Sequence, residues 1–283
     1  MELYRPATIK AIKEKYGFKF TKSLGQNFLT DKNTIDNIIA SSDITEDDLV
    51  IEIGPGIGVL TAEAAKLAKK VIAIEVDKNL IPILADTLSE YDNIEVINQD
   101  VLKTDLNEII RQSNCDKVRI IGNLPYYITT PIIMGILEKN TNADSITIMM
   151  QKEVAERIEA GPGSKTYGAI SVAVQYYCTV ESVTTVSKEA FMPAPKVDSS
   201  VLKLNIRKEK PVELVDERMF FSCIKAGFGQ RRKTLYNSLM GTGLNKEEVH
   251  SCLEAGGIDG MRRAETLSIE EFALIANKIS ERK

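Results

Sequence analysis

The 283-residue sequence has no tryptophan, one histidine and four cysteines. One histidine excludes a metal centre built from several imidazoles, and His250 stands in a polar helical stretch that suits a solvated role. Cys115, Cys178, Cys223 and Cys252 form no CxxC pair, so the sequence signals neither a zinc cluster nor a disulfide framework. Free thiols in a reducing cytoplasm are expected. No apolar run approaches the ~20 residues needed to cross a bilayer, and no membrane association is expected. The first twenty residues mix lysine with apolar side chains and show no secretory h-region. Repeats, low-complexity tracts and a dimer seam are all lacking, and a monomer is expected.

The net charge of −4 is unevenly spread. Residues 1–32 carry +4, 33–195 carry −11, 196–240 carry +5 and 241–283 carry −2. Two basic segments flanking an acidic middle can focus a polyanion onto one face, although scattered solvated charge would give similar figures.

Between 49 and 151, short runs rich in valine and isoleucine (49–53, 71–76, 94–98, 118–121, 146–150) alternate with segments of helical spacing (60–70, 78–91, 129–139). Near-continuous apolar runs are the mark of strands buried on both faces, so the class is α/β with a doubly wound, Rossmann-like parallel sheet. A closing strand pair follows at 180–186 and 201–206, around the proline-stiffened Phe191–Pro195 loop. Beyond Pro211 only helical signals remain, at 216–227, 230–240, 246–255 and 268–279, with Asn245 and Ser268 as N-caps. The expected organisation is a catalytic domain at 1–208, with an N-terminal arm over 1–32, and a small all-α domain at 209–283.

The first strand runs into Glu52-Ile53-Gly54-Pro55-Gly56-Ile57-Gly58. Glycines there let backbone approach a ligand, and the next helix offers free N–H groups. Dinucleotide folds want GxGxxG; this GxGxG spacing suits S-adenosylmethionine, which has no pyrophosphate to cradle. Such a turn also occurs merely as a tight turn. Glu75 closes the second strand, placed to accept ribose hydroxyls, and Asp100 follows the third, placed to accept the cofactor's adenine amino group. Three signals at the ends of three successive strands reinforce one another.

The fourth strand ends in Asn123-Leu124-Pro125-Tyr126. An adenine N6 lone pair is delocalised into the ring and is a poor nucleophile. Acceptors on its N–H groups, the Asn123 side-chain oxygen and the Leu124 carbonyl, would favour pyramidal geometry and free that pair. Pro125 biases Leu124 toward an extended conformation, and Tyr126 can stack on the base. No strong general base is needed, because the nitrogen becomes acidic as it is methylated; positioning and electrostatics supply most of the catalysis.

This run resembles the motif of methyltransferases acting on exocyclic amines, in the version found in ribosomal RNA adenine dimethyltransferases. Ser23-Leu24-Gly25-Gln26-Asn27-Phe28-Leu29-Thr30-Asp31 resembles that family's N-terminal cofactor motif, and Phe191-Met192-Pro193-Ala194-Pro195-Lys196-Val197-Asp198-Ser199-Ser200 its later loop. The resemblance implies a class I methyltransferase fold, with Gln26, Asn27, Leu29, Gly54, Gly56, Glu75, Asp100 and Asn123 at the cofactor. It also implies a flipped adenine held between Tyr126 and Phe191, and the two nearby prolines suggest that Phe191 lies on an exposed loop.

Lys225 precedes Arg231-Arg232-Lys233 in a stretch read as a helix start, where cations oppose the helix dipole and so suggest a functional reason. The run resembles the bacterial small-subunit enzyme. That implies as substrate two adjacent adenines near the 3′ end of 16S rRNA in an immature small subunit. Alternatives are a macrolide-resistance-type 23S rRNA methyltransferase with the same fold, and a non-catalytic ribosome assembly factor. An NAD-dependent dehydrogenase is disfavoured by the glycine spacing and by the lack of an active-site histidine.

Overall fold

The computed structural model describes residues 2–20 and 25–282. Ser23 and Leu24 of the N-terminal motif lie outside the described residues. The chain forms two compact units, one of Met1–Ala155 and Thr179–Ile206 and the other of Glu156–Cys178 and Arg207–Lys283.

In the first unit the helix α1 (Pro6–Tyr16) starts with proline in its first turn and stops at Gly17, whose φ of 59° continues no helix. Then come β1 (Phe28–Leu29) and α2 (Lys32–Ser41), the latter capped by the Asp31 carboxylate on the Thr34 N–H. The alternating part follows as β2 (Leu49–Ile53), α3 (Val59–Ala65), β3 (Lys70–Glu75), α4 (Ile81–Thr87), β4 (Ile94–Asn98), α5 (Leu106–Ser113), β5 (Val118–Asn123), α6 (Thr129–Glu138) and β6 (Ser145–Gln151). After α7 (Lys152–Glu159) and α8 (Ala169–Tyr177), the chain returns through β7 (Cys178–Val186), β8 (Phe191–Met192) and β9 (Ser199–Ile206).

Seven strands lie in the order β4-β3-β2-β5-β6-β9-β7. Neighbours from β4 through β6 are parallel, and β9 joins β6 antiparallel. Every residue of central β2 is buried, whereas no residue of edge strand β4 is, so the reading of strands buried on both faces holds at the centre of the sheet and not for 94–98. From β2 the chain steps outward to β3 and β4, then jumps to the opposite side of β2 for β5 and β6. The connections therefore part between β2 and β5, opening a crevice at the carboxyl ends of those strands. Separately, β1 pairs antiparallel with β8, Leu29 facing Phe191 and Phe28 facing Met192.

The second unit is helical. Besides α8 it holds α9 (Glu217–Gly229), α10 (Leu235–Ser238), α11 (Lys246–Ala255) and α12 (Ile269–Ser280). Residues 156–178, which the sequence reading leaves with the first domain, group here. Their anchors are specific: the buried Tyr167 hydroxyl donates to the Leu267 carbonyl (2.9 Å), and the Tyr176 and Tyr177 hydroxyls donate to Glu217 (3.0 and 2.8 Å). Asn245 and Ser268 cap α11 and α12, each reciprocated by a glutamate three residues on. The helix read over 230–240 is not continuous. Residues 230–233 form a turn after α9, followed by α10 and a 3-10 turn over Leu239–Thr242.

Candidate active site

The crevice between β2 and β5 contains a cavity of about 220 Å³. Its wall is assembled from the ends of four parallel strands, with Gly54 and Gly56 after β2, Glu75 ending β3, Asp100 after β4, and Asn123 ending β5. Gln26, Asn27 and Leu29 from the N-terminal motif complete it. All eight residues read from the sequence as cofactor contacts thus line one cavity.

The glycine turn takes its shape from positive φ, 70° at Gly54 and 61° at Gly56. A Cβ on Gly56 would lie 3.0 Å from the Phe28 ring, while one on Gly54 would meet nothing within 4 Å. Gly56 is therefore the place where the N-terminal motif closes onto the turn, and Gly54 leaves bare backbone open.

Glu75 accepts the Asp77 N–H at 2.8 Å and, at 3.4 Å, that of Gly56. Burial pushes its carboxyl up to about 7, against the downward pull of those N–H donors. Deeper in the wall, burial pushes Glu52 up to about 8, partly opposed by the Thr61 hydroxyl that donates to it. Asp100 accepts the Leu102 N–H at 3.0 Å through one oxygen, which leaves the other as an acceptor. Gln26 is fixed from the side by donating to Asp77 at 2.7 Å.

Asn123 is oriented by its neighbour. Its amide nitrogen donates to the Asn27 carbonyl at 2.9 Å, leaving Oδ1 as the acceptor available to a ligand. The Leu124 N–H is tied to the Met149 carbonyl at 3.2 Å. The Pro125 carbonyl is taken by the Ile128 N–H and the Thr129 hydroxyl, both at 3.1 Å, which launches α6. No donor among the described residues takes the Leu124 carbonyl. The half-buried Tyr126 shares a 2.7 Å hydrogen bond with Ser199, and burial raises its phenol above the ordinary value, so it stays neutral. Two acceptors and a ring thus border one space, the arrangement that an exocyclic amine on a planar base requires.

Phe191 is placed differently from the exposed loop suggested by its flanking prolines. Its ring is 5% exposed and packs in the apolar core with Leu29, and it does not line the cavity. Pairing of β8 with β1 turns the residue inward; only the loop beyond it, from Pro193 to Asp198, faces solvent. Sequence reasoning also missed Gln99, Val101 and Tyr127, which line the cavity beside recognised residues. Tyr127 had a signal, as an aromatic directly following the Asn-Leu-Pro-Tyr run.

In the second unit Lys225, Arg231, Arg232 and Lys233 are all exposed. The last three lie between the C-terminus of α9, where cations complement the dipole, and the N-cap Thr234 of the one-turn α10, whose short length gives little dipole to oppose, so the conflict inferred from a long helix start is slight. Arg231 is spent locally, donating to the carbonyls of Lys165 (3.1 Å) and Tyr167 (3.2 Å) and to Glu265 (3.2 Å).

Among the described residues no cluster of His, Cys, Asp or Glu is placed to hold a metal ion, and no helix is long and apolar enough to cross a membrane.

Known proteins share both the sequence and the shape. The family described as ribosomal RNA adenine dimethylase matches residues 17–281. Ribosomal RNA small subunit methyltransferase A of Clostridioides difficile (strain 630) is 54% identical over 273 residues, covering 96% of this chain and 94% of that one. A dimethyladenosine transferase from Plasmodium falciparum superposes with a TM-score of 0.78 at 26% identity, over 90% of this chain and 98% of the other. The 23S rRNA methyltransferase ErmE gives 0.69 at 28% identity, over 90% and 100%. A doubly wound sheet, a cavity at its switch point bordered by acceptors suited to an amine, and a match running nearly the length of the sequence converge on one assignment: the chain belongs to the ribosomal RNA adenine dimethylase family.

Proposed function

We propose that this enzyme dimethylates two adjacent adenines near the 3′ end of 16S rRNA within an immature small ribosomal subunit, acting as a cytoplasmic monomer. The methyl donor is S-adenosylmethionine, whose sulfonium supplies an electrophilic methyl group. The cavity suits that donor: Glu75 and Asp100 keep acceptor positions for hydroxyl and amino donors, and bare backbone stands open at Gly54. Glu75 would take the ribose hydroxyls, Asp100 the adenine amino group, and Gln26, Asn27, Leu29, Gly54, Gly56 and Asn123 would complete the cofactor's surroundings.

The observation that carries the reading is the Asn123 amide, held by Asn27 so that Oδ1 stays free beside the unclaimed Leu124 carbonyl. Together these acceptors would hold both N6 protons of the target adenine, strengthening as positive charge develops on the nitrogen. Tyr126, anchored by Ser199, would stack on the ring. Phe191 would serve from behind, holding the β1–β8 pair that carries Asn27 and Leu29 into the wall. Arg232, Lys233 and Lys225 would bind phosphates, with Arg231 shaping the turn that presents them.

The small-subunit substrate is favoured by the relative named for that subunit, at 54% identity, over the 23S enzyme at 28%. The four cysteines are unpaired, in keeping with a reducing compartment. The test is tritiated methyl transfer to unmethylated ribosomal particles. Label is expected in small-subunit RNA; label in large-subunit RNA alone would overturn the substrate, and no label in either would favour a purely assembly-related role.

A further inference from the structure

Tyr127 is the aromatic side chain that the catalytic reading leaves unused. It lines the cavity mouth, is 61% exposed, and shares in none of the ring–ring or cation–ring contacts among the described residues. Its neighbour Tyr126 is half-buried and tethered to Ser199, so the two rings differ in depth by the advance of a single residue. The Tyr127 ring lies over Gly25, 3.8 Å from where a Cβ on that residue would stand, and Gly25 has a φ of 62°. The N-terminal motif thus narrows to a glycine under this ring. A large aromatic left in water on the lip of a base-binding cavity has a face with nothing stacked on it.

We propose that Tyr127 is a stacking platform for the nucleotide adjoining the target adenine, a specificity-determining contact outside the reaction centre. This rests on the reading of the cavity as the site of a flipped base. A nucleotide extruded into the cavity leaves its neighbours unstacked, and an aromatic face at the exit recovers part of that lost stacking. If the substrate carries two adjacent adenines, the neighbour is a purine, which offers the larger face. The ring then holds the second adenine at the lip while the first occupies the cavity.

The test compares Tyr127→Ala and Tyr127→Phe with the wild type on unmethylated small subunits. Tyr127→Ala is expected to raise KM for the particle about tenfold, with kcat within about twofold and cofactor affinity unchanged; Tyr127→Phe, which keeps the ring, should restore KM. A second set of particles has the neighbouring adenine changed to uracil. There the penalty of Tyr127→Ala should shrink to about threefold or less, because the pyrimidine stacks less. An unaltered KM in Tyr127→Ala, a Tyr127→Phe variant as impaired as the alanine, or a penalty independent of the neighbouring base would each overturn the proposal. The substrate assignment is judged separately, by which RNA the wild type labels; the variants are compared on whichever particle that is.

Discussion

The cavity of the first unit and the basic turn of the second do different physical work. The cavity residues are held in place before any ligand arrives, Asn123 by the Asn27 carbonyl, Gln26 by Asp77, and Glu75 by the Asp77 N–H. Arg232 and Lys233 extend from a turn into solvent. Prearranged dipoles in a partly buried crevice act strongly and with little dependence on salt, whereas exposed cations act through counterion release and are screened. The first arrangement suits chemistry on one atom, and the second suits affinity for a polyanion.

The sharpest way to break this contrast is Asn123→Ala. It removes the oriented acceptor, and turnover should fall about 10²–10³-fold with cofactor affinity only partly weakened. Wild-type rates in single-turnover methylation would refute the role. Phe191→Ala should act through stability, by about 3–5 kcal/mol as a buried aromatic is deleted, whereas Phe191→Leu should lose much less. Denaturant unfolding measures both, and an unchanged midpoint in the alanine variant would deny that the ring supports β1.

Glu75 sets a pH dependence. With its carboxyl raised to about 7, the folded protein retains a proton that the unfolded chain releases near 4.5. Stability of the ligand-free protein should therefore decline as pH rises from about 4.5 to 7, with Glu52, raised to about 8, adding a decline of the same sign up to that pH, and Glu75→Gln should make the slope shallower by Glu75's share without removing it. Ribose hydroxyls favour the ionised form, so cofactor affinity should rise with pH up to about 7, by at most about tenfold per unit, and then level off. Calorimetric titration that finds no slope would refute this.

For the basic turn, Arg232→Ala with Lys233→Ala should lower the slope of log affinity against log salt by about 2, without altering kcat on saturating particles. Arg231→Ala should act mostly through stability, by about 1 kcal/mol, because its guanidinium is engaged with Lys165, Tyr167 and Glu265. The reverse pattern would exchange the roles of these arginines.

Much of the site was legible because a parallel strand delivers its functional residues at its own carboxyl end. Reading 49–53, 94–98 and 118–121 as strands was enough to bring Gly54, Asp100 and Asn123 to one edge, and the observed strands start at the same residues. Gln99 and Val101 were missed because nothing in their chemistry marks them; they line the cavity as neighbours of Asp100. Helices α1 and α2 were not read, since Pro6–Tyr16 and Lys32–Ser41 are short and their apolar faces gain meaning only against the sheet.

The sequence by itself determined the doubly wound architecture, the glycine turn, the carboxylates at the strand ends and the Asn-Leu-Pro-Tyr turn, because each follows from residue type and local periodicity. Only the tertiary structure decided that Phe191 points inward, that residues 156–178 join the C-terminal helices, and that Arg231 serves its own turn. Those outcomes depend on Leu29, Leu267, Glu217 and Glu265, partners far along the chain. A two-residue strand or a single exposed arginine carries no periodic signal, so burial and hydrogen bonding settle its place only once those partners have been brought beside it.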